Sequence, residues 1–131
     1  MGYLTREEIL GAEDILYEDV PVPEWGGTVR VRGLSGTERD AFEASIVEMR
    51  GRKTHVDTRN LRAKLVARAV VGENSQRLFQ DGDVRALGEK SAAALNRVFE
   101  VAQRLSGLTE ADIEELTKNS EGDQSDGFTS D

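Results

Sequence analysis

Apolar residues recur along this chain with two different periods. Between Asp19 and Arg32 they alternate with polar ones: Val20 and Val22 on one side of a turn, Val29 and Val31 on the other. Period-two patterning predicts two strand arms, each with a buried face and a wet face. The turn between them is Glu24-Trp25-Gly26-Gly27, whose glycines are predicted to supply positive φ angles. Pro21 and Pro23 cannot donate to a ladder, which places the first arm at a sheet edge. A lone hairpin is marginal in water, so this one, at about residues 18–33, must pack on helices or on a partner.

Elsewhere the period is helical. Leu4-Thr5-Arg6-Glu7-Glu8-Ile9 reads as a helix start, with Thr5 and Glu8 as a capping box, Leu4 stapled to Ile9, and Gly11 as the stop. Ser35-Gly36-Thr37-Glu38 repeats the device and opens a helix to about Arg50, with Phe42, Ile46 and Met49 on one face. Gly51–Asp57 reads as a mobile loop. A further helix is predicted from Thr58 to Val71, with Leu61, Leu65 and Ala69 in one stripe and Val66 and Val70 beside it. Arg77-Leu78-Phe79 is a short extended connection, and Asp81 is the predicted cap of a brief helix carrying Val84 and Leu87. Ser91–Leu105 carries the clearest amphipathic pattern: Leu95, Val98, Phe99, Ala102 and Leu105, the first three of which are assigned to the core. Thr109 caps a last helix, with Leu108 stapled to Ile113 and an apolar face of only Ile113 and Leu116. After Leu116, "TKNSEGDQSDGFTSD" holds one apolar side chain, Phe128, and cannot offset the entropy of ordering. The pattern therefore predicts an α+β, mainly α-helical domain over residues 1–117. In it a small N-terminal β-hairpin packs on a bundle of about four or five helices, and residues 118–131 form a disordered acidic C-terminal tail.

Composition narrows the function more than the fold. The 131 residues carry a net charge of −8, which disfavours nucleic acid as a partner. There is no cysteine, hence no disulfide framework and no thiolate nucleophile, in keeping with a cytosolic chain. No apolar run approaches a membrane span.

Candidate chemistry is sparse. The single histidine, His55, sits in a charged stretch without a nucleophile beside it, and a solvated loop residue is the favoured reading. Asp81-Gly82-Asp83 has the opening of a calcium loop, but the twelfth position, which should be a bidentate Glu, is Ala92. Gly26-Gly27 lacks the Lys-Ser/Thr of a phosphate cradle. No catalytic residue, metal site or cofactor is expected. Arg50–Arg68 gathers seven basic residues against one acid, Asp57, with no aromatic interleaved to stack bases. It reads as a solvated face, or one that pairs with acidic protein. Trp25 admits two readings: fold-over packing on its own hairpin, or an exposed aromatic anchor of the kind that dominates binding hot spots.

The wording of several segments is familiar. "VPEWGGTVRVRGLSGTERDAFE" (22–43), "NLRAKLVARAVV" (60–71), "RLF" (77–79) and "ALGEKSAAALNRVFEVAQRLSGLTEADIEELTKN" (86–119) resemble tail assembly chaperones of long-tailed, non-contractile phages, particularly those of actinobacterial phages and prophages. The resemblance implies a non-enzymatic helper that acts in the host cytoplasm and is absent from the finished virion. It would coat and solubilise the tape measure protein and recruit tail-tube subunits around it. It leaves room for self-association and for a longer form made by programmed frameshifting, appended through the flexible tail. The expected contact residues are Trp25, Val29 and Val31 on the hairpin and Ile113 and Leu116 on the last helix. Two rival functions remain: a structural head–tail or tail component, and a small nucleic-acid-binding regulator using Arg50–Arg68.

Overall fold

In the computed structural model, residues 2–50, 53–56 and 59–116 are described, with residues 48–50 and 53–56 described as backbone only. The tail expected to be disordered lies outside them. The alternating valines form the hairpin: β1 (Tyr17–Val22) pairs antiparallel with β2 (Gly27–Arg32), and Val20 stands opposite Val29. The turn is tighter than four free residues: Pro23–Trp25 form one 3₁₀ turn, closed by Gly26 at φ +75°. Gly26 alone takes the left-handed conformation, and Gly27 already belongs to β2.

A third strand, β5 (Val70–Val71), lies on the other side of β2, with Val31 opposite Val70. The sheet order β1-β2-β5 leaves β1 at an edge, where its single proline, Pro21, is tolerated, while Pro23 falls in the turn that follows. The helix predicted to run to Val71 therefore stops earlier: α3 is Leu61–Ala69, and the two β-branched residues after it turn extended. Period alone could not separate these outcomes, because Val70 and Val71 are buried in either; what decides is the open edge of β2.

Capping chemistry sets the helix starts. Ser35 accepts from the Glu38 N–H at 3.2 Å and Glu38 reaches back to the Ser35 N–H at 2.8 Å, opening α2 (Gly36–Ser45). This helix ends five residues before Arg50. The Ser45 hydroxyl donates to the Phe42 carbonyl, a local bond that competes with helix continuation. The chain then forms a second hairpin, β3 (Val47–Arg50) with β4 (Lys53–Val56), in which Glu48 stands opposite His55. Thus part of the segment read as a mobile loop, His55 included, is a strand, and Met49 is not on a helix face.

At α4 (Val84–Gly88) the cap is not Asp81. Asp83 accepts from the Gln80 N–H at 2.8 Å, while Asp81 pairs with Arg77 at 3.1 Å. Ser91 caps α5 (Ala92–Leu105) through the Ala94 N–H. That helix ends in a Schellman motif: Gly107 takes φ +72°, Leu108 N–H donates to the Gln103 carbonyl, and Gly107 N–H to that of Arg104. α6 (residues 110–116) follows this turn, its start locked by reciprocal bonds between Thr109 and Asp112.

The core lies between sheet and helices. Val22, Val31, Phe42, Leu65, Val66 and Val98 are fully buried, with Leu95 and Phe99 nearly so, as the α5 stripe predicts. Each such side chain contributes about 1.5–3 kcal/mol by leaving water. Ala63, Ala67 and Ala69 let α3 lie close to its neighbours. At Gly33 the sheet meets α5 so closely that a Cβ would collide with the Leu105 carbonyl. Ser106 Oγ accepts from the Leu34 N–H at 2.9 Å and pins the same junction.

Candidate partner-binding surface

The expected contact residues do not share one fate. Val31 is fully buried between β1 and β5 and has no surface to offer; its place in the alternation put it on the inward face of the central strand. Val29 is half-buried on the same sheet. Trp25, Ile113 and Leu116 are half-buried too, each packed against the core while keeping part of its surface in solvent. Trp25 is thus both packed and exposed, combining the two readings its position at a hairpin tip allowed.

Trp25 walls a cleft of about 680 Å³ with Leu78, Phe79, Ala86 and Leu87, rimmed by Glu24, Asp83 and Lys90. Leu78 is 56% exposed there. The indole Nε1 is buried and has no acceptor among the described residues, an uncompensated donor that costs about 1–3 kcal/mol. Two bonds from Arg97, of 2.5 and 3.0 Å, clamp Glu24 and hold the hairpin tip on α5. The Arg97 guanidinium, hydrogen-bonded to Glu24, keeps that carboxyl below the usual range.

Ile113 lines a second groove, of about 1010 Å³, between α3, α5 and α6. Its floor includes Leu61, Leu95 and Phe99, with Arg62, Lys90, Glu100 and Glu110 on the rim. The Arg62 guanidinium lies 5.5 Å from the centre of the Phe99 ring and donates to Asn96, so the cation is held over the apolar floor.

The largest apolar surplus is one that periodicity did not reveal. α1 (Arg6–Gly11) forms its capping box, Thr5 with Glu8, yet buries none of its residues. Tyr3, Leu4, Ile9 and Leu10 are between 57% and 100% exposed, so Leu4 and Ile9 make no buried staple, and Leu16 and Tyr17 continue the patch towards the sheet edge. A six-residue helix has little stability alone in water. The sequence does carry a signal: two adjacent apolar residues, Ile9 and Leu10, on a helix too short to bury both.

The basic run Arg50–Arg68 is divided by the fold. Arg50 and Lys53 lie on the second hairpin, Arg52 is outside the described residues, and Arg62, Lys64 and Arg68 lie on α3. Among the described residues no group of three or more His, Cys, Asp or Glu is placed to hold a metal, and no helix is long and apolar enough to cross a membrane.

Clefts with apolar floors and charged rims have a form suited to holding polypeptide. A family model described as phage tail assembly chaperone matches residues 9–119. The chain belongs to that family. The match leaves out Tyr3 and Leu4, so part of the exposed arm lies outside what this chaperone shares with the family model. Among solved structures, the tail assembly chaperone of bacteriophage HK97 has the same fold, with a TM-score of 0.54 at 16% identity, over 79% of this chain and 95% of the other. No curated protein matches the chain.

Proposed function

We propose that this chaperone binds the tape measure protein of a long-tailed, non-contractile phage, keeps it soluble, and helps to recruit tail-tube subunits around it. It works without enzymatic chemistry in the host cytoplasm and leaves before the virion is complete. The observation that carries the reading is family membership over residues 9–119 joined to a surface of partly exposed apolar side chains: Trp25 and Leu78 at one cleft, Ile113 at another, and Leu116 one turn further along α6. A tape measure protein is long and helical, and its apolar stripes would fit such clefts as a helix fits a groove. Each contact is small, so tight coverage comes from many copies along one client, and release remains easy. The acidic surface, from a net charge of −8, keeps crowded copies apart.

Co-expression with the tape measure protein tests this. The client's soluble fraction should rise and the two should purify together; an insoluble client and no complex would refute the reading. Mass spectrometry of purified particles separates the chaperone from a structural head–tail component, because only the latter stays in the virion.

A further inference from the structure

Part of the basic run that the proposed function leaves unused is regathered by the fold. Arg62 turns away over Phe99, but Arg59, Lys64 and Arg68 line a cleft of about 710 Å³ where α3 meets α4, and α4 adds Arg85. Asp81 is the one carboxylate in the lining. It is divided between Arg77, at 3.1 Å, and Arg68, at 3.6 Å. The second distance is too long for a hydrogen bond, although the Arg68 side chain is only 15% exposed. Lys64 uses one Nζ donor on the Ser45 carbonyl, at 2.9 Å, of the three an ammonium carries. Arg85 is exposed and makes no hydrogen bond or ion pair among the described residues. Lys64 and Arg68 stand one turn apart on α3, a like-charge spacing that disfavours the helix. A cleft walled by one sign of charge concentrates ions of the other.

The lining favours the carboxylates of a polypeptide over phosphates. No lining residue is aromatic, so bases have nothing to stack on. The net charge of −8 repels a long polyanion before it arrives. Asp81 would oppose phosphate oxygens, whereas a peptide backbone offers it N–H groups to accept. Spacing agrees. Four residues of α3 rise about 6 Å, and alternate side chains of an extended segment, which share one side, lie about 7 Å apart.

We infer that this cleft binds an extended segment of a partner protein with two acidic residues in alternate positions. Lys64 and Arg68 each take one carboxylate, and Arg85 flanks them from α4. The inference stands whether or not the client is a tape measure protein.

The test is a titration of the isotope-labelled full chain with an end-blocked Gly/Ser peptide carrying two glutamates in alternate positions. Amide shifts of Lys64, Arg68, Gly82 and Arg85 should move together and saturate, while those of Asp19 and Thr28 on the sheet stay in place. Arg85→Glu breaks no contact among the described residues and should weaken binding about tenfold or more. Making the two glutamates adjacent aims one of them away and should also cost about tenfold. At about 1 M salt, where screening acts within about 3 Å, the shifts should vanish. Absent or unsaturable shifts overturn the inference. So does wild-type affinity in Arg85→Glu, or equal affinity for the adjacent-glutamate peptide. Tighter binding of a single-stranded oligonucleotide of equal charge at the same amides would make this a nucleic-acid site, and equal shifts from inorganic phosphate at the same concentration would make it a site for an adventitious ion only; either result overturns it.

Discussion

Trp25 is the residue at which two substitutions test fold and binding together. Truncating a fully buried Trp to Ala costs about 3–5 kcal/mol. Trp25 keeps only a minor part of its surface in solvent, which brings the packing loss to roughly 3 kcal/mol on the same scale. Removing the buried, unpartnered Nε1 returns about 1 kcal/mol of desolvation. Trp25→Ala should therefore destabilise by about 2 kcal/mol, a fall in Tm of about 8 °C. Trp25→Phe keeps an aromatic ring over Phe79 and Leu87 and deletes the orphan donor, so its stability should stay within about 0.5–1 kcal/mol of wild type. Trp25→Ala removes the ring that walls the cleft and should weaken binding by about tenfold or more, while Trp25→Phe keeps a ring there and should lose less. Thermal unfolding by circular dichroism gives the first quantity, and titration of a soluble tape measure fragment gives the second. The reasoning fails if Trp25→Phe melts as early as Trp25→Ala, or if both variants bind the client at wild-type strength.

Other perturbations test other parts of the structure. Gly33→Ala would set a methyl against the Leu105 carbonyl backbone, which cannot move without lifting α5 off the sheet; chemical denaturation should show a loss of about 2–3 kcal/mol. In the arm, Ile9→Asp with Leu10→Asp should leave stability within about 0.5 kcal/mol, because neither residue is buried, yet reduce co-purification with the client; an equal fall in stability would mean the arm packs on its own domain. Burial pushes the Glu38 carboxyl up, but the Ser35 N–H and the Arg32 guanidinium outweigh it and leave it below the ordinary glutamate value. Hydrogen bonds from Thr109 lower Asp112 in the same way. Since both are depressed in the folded state, their contribution is complete above the unfolded value and is lost as the pH falls below the ordinary carboxylate range of about 4. Glu38→Gln should flatten that limb of the stability–pH curve, and an unchanged limb would show that Glu38 does not drive it.

The local chemistry of the chain was sufficient for much of this fold. The Thr5–Glu8, Ser35–Glu38 and Thr109 caps could be read directly, because a cap satisfies backbone groups within four residues and depends on nothing distant. The α5 stripe and the edge position of β1 were legible for similar reasons, one from period and one from proline's missing donor. The family resemblance, too, rested on residue order and proved correct at the level of the tail assembly chaperone family.

Tertiary structure alone decided the rest. Val70 and Val71 are apolar in helix or strand, and only the open edge of β2 made them a third strand. Val47–Arg50 pairs with Lys53–Val56, and although the Ser45 bond to the Phe42 carbonyl that competes with α2 is local, the apolar spacing of Ile46 and Met49 fitted a continued helix equally well. Val31 and Trp25 sit in the same short motif, yet one lies on the central strand and the other at its tip; burial is a property of neighbours, not of alternation. The exposed arm makes the converse point. Capping and periodicity assigned Leu4 and Ile9 to a buried staple, and only the finished packing leaves them outside, because the interior is already filled by α3, α5 and the sheet.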